Sequence, residues 1–175
     1  ILEPGDEVII PEPAFVSYVP CVQLADGVPV TISLKEENQF RLKPEELEAA
    51  ITPKTKALLL SFPNNPTGAI MEKEDLEALV PLIMKHDLAV ISDEIYSELT
   101  YRDPPCEHSR SSGNAGENHS YQWILKSLCH DGVETWLCSA PGEIMKQMIK
   151  LHQFAIMSAP TKQPVCSCQC TEIWG

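Results

Sequence analysis

Four polar side chains at two places in the chain are of the right types to do chemistry together. Asn64 and Asn65 belong to SFPNNPTG (61–68), and Asp93 and Tyr96 belong to ISDEIY (91–96). An amide and a phenol both donate hydrogen bonds to a developing oxygen anion, and a carboxylate favours the protonated form of a base beside it. These groups act jointly only if the fold delivers them to one place. Each motif follows directly on an apolar run, LLLSF at 58–62 and LAVIS at 88–92, and both runs read as short buried strands. Between them EKEDLEALVPLIMKHD (72–87) carries apolar residues at helical spacing. That order predicts a βαβ unit. Its right-handed crossover makes the two strands parallel, so both motifs emerge at the carboxyl edge, where open α/β sheets bind ligands.

The flanking sequence extends the same architecture. EVII (7–10) reads as a strand, 15–25 as a helix, VPVTISL (28–34) as a strand, and KPEELEAAI (43–51) as a helix with Pro44 at its start and glutamates in its first turn. The fold class is therefore α/β, a mostly parallel sheet with flanking helices. Each candidate also has a plain structural use. Asn64 and Asn65 suit a turn, Asp93 suits a helix N-cap before EIYSEL, Tyr96 suits packing in a first helical turn, and an isolated Phe15 suits the core. Tyr18, one turn beyond Phe15, reads as a packing residue or a contact to a neighbouring subunit.

A net charge of −12 disfavours nucleic acid and anionic membranes as partners, because both demand Lys/Arg surfaces. No window reaches a membrane-spanning apolar length, and the first residues lack the layout of a secretion signal, so a cytoplasmic protein is expected. Of seven cysteines only Cys21 lies in the first 105 residues. Cys106, Cys129, Cys138, Cys166, Cys168 and Cys170 crowd two later stretches that also hold all three tryptophans. CSCQC (166–170) lacks the separated CxxC pairs of structural zinc sites, so no metal site is assigned. From 104 to 122 no period of 2 or 3.6 survives and WILKSLCHDGVETWLC (123–138) is apolar without a clear face, whereas 140–161 resumes a helical pattern, with Lys146, Lys150 and His152 on a solvated face.

At PGDEVIIPEPAFVSY (4–18), SFPNNPTG and SDEIYSELTY (92–101) the chain resembles the large domain of a class I/II, fold-type I aminotransferase dependent on pyridoxal 5'-phosphate. Kynurenine aminotransferases, cysteine-conjugate β-lyases and bacterial aspartate or aromatic aminotransferases share the pattern. The resemblance implies that Asp93 pairs with the cofactor's ring nitrogen and that Asn65 and Tyr96 donate to its phenolic oxygen. It implies further that Phe15 stacks on the ring, that Pro63 and Pro66 carry cis bonds, and that Lys126 stands near the position of the catalytic lysine. The substrates it implies are an amino acid and a 2-oxo acid, handled by a homodimer. A C–S β-lyase using the same cofactor is the alternative enzyme. The family's upstream phosphate loop, the Arg of its GWRLG motif and its C-terminal small domain are not in this sequence, so the chain reads as a partial domain.

Around Lys126 the family pattern, a strand leading into GFSKxYAMTGWRLGY, is replaced by QWILKSLCHDGVETWLC. Codons chosen within the degeneracy of residues 114–139 and read one base later spell MRERTIVINGFSKxYAMTGWRLGYV without a break. The tail from Gln163, shifted likewise, spells SQYAAVNALKYG. Residues 1–104 and 140–161 are thus family-like, and 105–139 and 162–175 are expected to be out-of-frame translation. On this expectation the chain as written is an inactive, pseudogene-like product of an aminotransferase sequence.

Overall fold

The computed structural model describes residues 2–96, 126–130, 133–137 and 140–155. Four strands, β1 (Glu7–Glu12), β2 (Val28–Ser33), β3 (Thr55–Ser61) and β4 (Ala89–Asp93), form one sheet in the order β2-β1-β3-β4. Every neighbouring pair in it is parallel. The helices α1 (Tyr18–Leu24), α2 (Pro44–Ala50) and α3 (Lys73–Lys85) connect the strands, with a 3-10 turn at Glu36–Asn38.

Strand alternation divides the core between the two faces of the sheet. Ile9, Leu58, Leu60 and Val90 point to one face, where Leu47 of α2 and Leu76, Leu79 and Ile83 of α3 cover them. Val8, Ile10, Ala57 and Leu59 point to the other, where Val22 of α1 covers them with Tyr18 and Val19 beside it. Both sides of the sheet are thus apolar, which is why its strands read as nearly continuous hydrophobic runs.

The helices start and stop by local chemistry. Pro44 opens α2, and Glu46 reaches back to accept the Lys43 N–H at 3.1 Å. Asp75 does the same for the Glu72 N–H, also at 3.1 Å, so both helices carry an acidic side chain where the N-terminal dipole favours it. Arg41 bonds Asp75 at 2.8 Å, tying the segment before α2 to the start of α3. At the other end of α3, Asp87 takes a left-handed φ of 50°. The Leu88 N–H then reaches back to the Ile83 carbonyl at 3.0 Å, a Schellman-type closure that turns the chain directly into β4.

Two expectations are corrected. The first helix begins at Tyr18, not at Phe15, because Phe15 lies in the loop after β1 and a turn at 16–17 precedes the helix. Within 123–138, apolar without a clear face, β5 (Lys126–His130) and β6 (Val133–Leu137) pair as an antiparallel hairpin. The final helix, α4 (Gly142–Ala155), carries Lys146, Lys150 and His152 exposed, as expected. The CSCQC run and 156–161 lie outside the described residues. Among the described residues no group of His, Cys, Asp or Glu is placed to hold a metal, and no helix is long and apolar enough to cross a membrane.

Candidate functional site

Parallel register brings the carboxyl ends of the strands to one edge, and β3 and β4 end level with each other. Ser61, the last residue of β3, is the register partner of Asp93, the last residue of β4. The chain after β1 arrives at the same edge: Phe15 follows the cis Pro13 turn, and α1 starts three residues later with Tyr18. The Tyr18 hydroxyl lies 2.7 Å from Asp93 Oδ2 and 2.9 Å from Ser61 Oγ. A phenol has one proton, so Tyr18 donates to the carboxylate and accepts from the serine hydroxyl.

Asp93 is buried, at 8% exposure, and each of its oxygens has a donor. The Ile95 N–H bonds Oδ1 at 3.1 Å, the local turn-capping role open to any Asp at a strand end, while Oδ2 takes the phenol. Among the described residues Asp93 has no ion-pair partner. Burial, first, raises the Tyr18 phenol well above the ordinary range; the bond to Asp93 and its negative charge add to the rise, and the Ser61 hydroxyl opposes it. Tyr18 is therefore a neutral, proton-bearing donor throughout the physiological range.

The loop after β3 is built by Asn64. Its amide nitrogen donates to the Pro13 carbonyl at 3.0 Å, and its Oδ1 accepts from Thr67 Oγ1 at 2.8 Å and the Thr67 N–H at 3.3 Å. Asn64 thus ties the β3 loop to the β1 loop and folds its own turn, which Gly68 closes at a φ of 70°. The turn reading of Asn64 is borne out. Phe62–Pro63 and Asn65–Pro66 are both cis, also as expected. Asn65, next along, sends its amide nitrogen to the Tyr96 hydroxyl at 3.3 Å.

Of the candidates, Asn65 and Tyr96 are therefore joined directly, and Phe15 and Asp93 are joined through Tyr18. The Phe15 ring stands edge-on to the Tyr18 ring, centroids 5.8 Å apart at 70°, and is 45% exposed, which is not a core position. Lys126 opens β5, and the placement of its amine lies outside the described part of the structure, as does EIYSEL beyond Tyr96. The packing reading of Tyr18 is borne out by its place against the Val8, Ile10 and Val22 cluster, but it did not include the bond to Asp93, and Ser61 was passed over altogether. Both left a signal: a phenol one helical turn past Phe15, and a hydroxyl ending an apolar strand whose parallel neighbour ends in a carboxylate.

A planar aromatic, a buried carboxylate without a cation among the described residues, and an amide–phenol pair at one sheet edge suit a flat, protonated heterocycle bearing an acidic oxygen. The model for aminotransferase class I and II matches residues 1–167. The chain belongs to that family.

It is 41% identical over 155 residues to the aspartate aminotransferase of Pyrococcus abyssi, covering 87% of this chain and 40% of that enzyme. Against the aspartate aminotransferase of Geobacillus stearothermophilus identity is 50% over 101 residues, 58% of this chain and 26% of the enzyme. The crystal structure of the aromatic aminotransferase from Pyrococcus horikoshii superposes with a TM-score of 0.82 at 37% identity, over 91% of this chain and 43% of that one. The chain thus spans about two fifths of the length of relatives that it matches nearly end to end. Members of this aminotransferase family generally depend on pyridoxal phosphate.

Proposed function

We propose that the carboxyl edge of this sheet is the ring-facing part of a pyridoxal 5'-phosphate site, in a chain that derives from an aminotransferase moving an amino group between an amino acid and a 2-oxo acid. The observation that carries this reading is Asp93, a buried carboxylate held by two donors and lacking a cationic partner among the described residues. Burying a charge is costly unless it is paired, and a protonated ring nitrogen supplies the missing charge. Phe15, exposed on one side, offers a surface for the ring to stack on, and Asn65 with Tyr96 offers donors for the phenolic oxygen. When bound, the cofactor supplies an electron sink for bonds at the substrate's α-carbon. The protein's own share is to orient the ring and keep its nitrogen protonated. The names of the relatives favour amino transfer over C–S β-elimination, and the family's homodimer is the expected assembly of the complete enzyme.

Out-of-frame segments at 105–139 and 162–175 belong to the same proposal. The observation behind it is the family pattern, GFSKxYAMTGWRLGY included, that codons within the degeneracy of residues 114–139 spell when read one base later. In the shifted frame the catalytic lysine takes its bases from the codons of Lys126 and Ser127, so Lys126 as written is not that lysine and the chain does not transfer amino groups. Equilibrium dialysis of the full chain with pyridoxal phosphate tests the site, with binding expected and its absence refuting it. Sequencing the DNA across the junctions near 104, 139 and 162 tests the frame, and a single uninterrupted frame would sink that part.

A further inference from the structure

Resting on the reading of Asp93 as partner of the ring nitrogen, we propose that Tyr18, steadied by Ser61, is a positioning residue that sets the plane of the Asp93 carboxylate and thereby makes the site selective for a nitrogen-bearing ring. A carboxylate held by one bond swings about its terminal torsion. Asp93 is held at both oxygens by donors from different parts of the chain, the Ile95 N–H on Oδ1 and the Tyr18 hydroxyl on Oδ2. The phenol is itself restrained, because Ser61 Oγ lies 2.9 Å from its oxygen and Ser61 is the register partner of Asp93 on the adjoining strand. The phenol thus bridges the ends of β3 and β4, with one hydrogen bond to each. Because Phe15 packs edge-on against the same phenol ring, Tyr18 also relates the aromatic surface to the carboxylate. A half-buried phenol kept in its neutral form is a constant donor, so it sets orientation without adding a charge of its own.

The test compares the binding of pyridoxal phosphate with that of 1-deazapyridoxal phosphate, in which a C–H replaces the ring nitrogen, to the full chain and its Tyr18→Phe and Ser61→Ala variants. The wild-type chain is expected to prefer the nitrogen-bearing ligand. Tyr18→Phe should cut that preference about tenfold, the scale of one charge-assisted hydrogen bond, and leave the affinity for the deaza ligand unchanged. Ser61→Ala should cut it by a smaller factor in the same sense, and it decides the matter alone if Tyr18→Phe does not fold. A merely structural tyrosine would weaken both ligands equally, and that result, or an unaltered preference in both variants, overturns the inference. If the wild-type chain binds neither ligand, the cofactor site itself is refuted. If it binds both equally, Asp93 does not face the ring nitrogen and the inference falls with that assignment.

Discussion

The Tyr18 hydroxyl and Asp93 Oδ2 stand 2.7 Å apart although the two residues are 75 positions apart in the chain. The first helix and the fourth strand therefore meet at one hydrogen bond, in the place where β3 and β4 end together at Ser61 and Asp93. A local motif search sees Asp93 within ISDEIY and Tyr18 at the end of PGDEVIIPEPAFVSY, two stretches far apart in the chain. Only the sheet order makes them neighbours.

Asp93→Asn keeps the size of the side chain and much of its hydrogen bonding but removes the charge. If the buried carboxylate exists to face a protonated ring, the substitution should weaken pyridoxal phosphate about 10- to 100-fold, the range of a charge-assisted bond of 1.5–3 kcal/mol. Equilibrium dialysis at neutral pH reads this directly, and an unchanged affinity would remove Asp93 from the site.

Asn64→Ala should destabilise the fold by about 2–3 kcal/mol, because truncation leaves the Pro13 carbonyl and the Thr67 donors without their partner in a buried turn. Urea unfolding is expected to give a lower midpoint with an unaltered slope. A loss under about 0.5 kcal/mol, the ordinary surface range, would mean that the link between the β1 and β3 loops is dispensable.

The raised Tyr18 phenol makes a pH prediction whose sign follows from proton counting. Above the ordinary phenol value of about 10 the unfolded chain has lost this proton while the folded chain still holds it, so stability falls as pH rises. Below that value both states are protonated, and the contribution is fully present. Chemical denaturation between pH 9 and 11 should show a decline that is shallower in Tyr18→Phe. Equal slopes in the two proteins would contradict the burial of the hydroxyl.

Two backbone positions predict opposite effects. Gly68 has a φ of 70° and nothing within 4 Å of where a Cβ would stand, so Gly68→Ala costs only the left-handed conformation, about 1 kcal/mol. Asp87 occupies the same region at 50° as the terminating residue of α3, so Asp87→Gly should gain about 0.5 kcal/mol. Thermal melts of both variants check the pair, and shifts of the same sign would argue against the assigned backbone.

Much of the fold was legible because its signals are local. The apolar run at 55–61, the 3.6 spacing that buries Leu76, Leu79 and Ile83, and Pro44 with its following glutamates each act within a few residues. The same holds for the Asn64 turn, in which side chain and backbone partners lie three residues apart. The start of α1 was misplaced because the loop between β1 and α1 is held from outside, by the Asn64 bond to the Pro13 carbonyl. The hairpin at 126–137 escaped because residues there lack the alternation by which an amphipathic strand is read.

By itself the sequence determined which side chains stand at strand ends, since period and punctuation are properties of neighbouring residues. It thereby supplied Asn65, Asp93 and Tyr96 as candidates, and a motif resemblance added Phe15. Which of them touch was decided only by tertiary structure. The parallel register that sets Ser61 beside Asp93, and the packing of α1 that swings Tyr18 onto both, depend on contacts between segments far apart in the chain, whose energies no local pattern records.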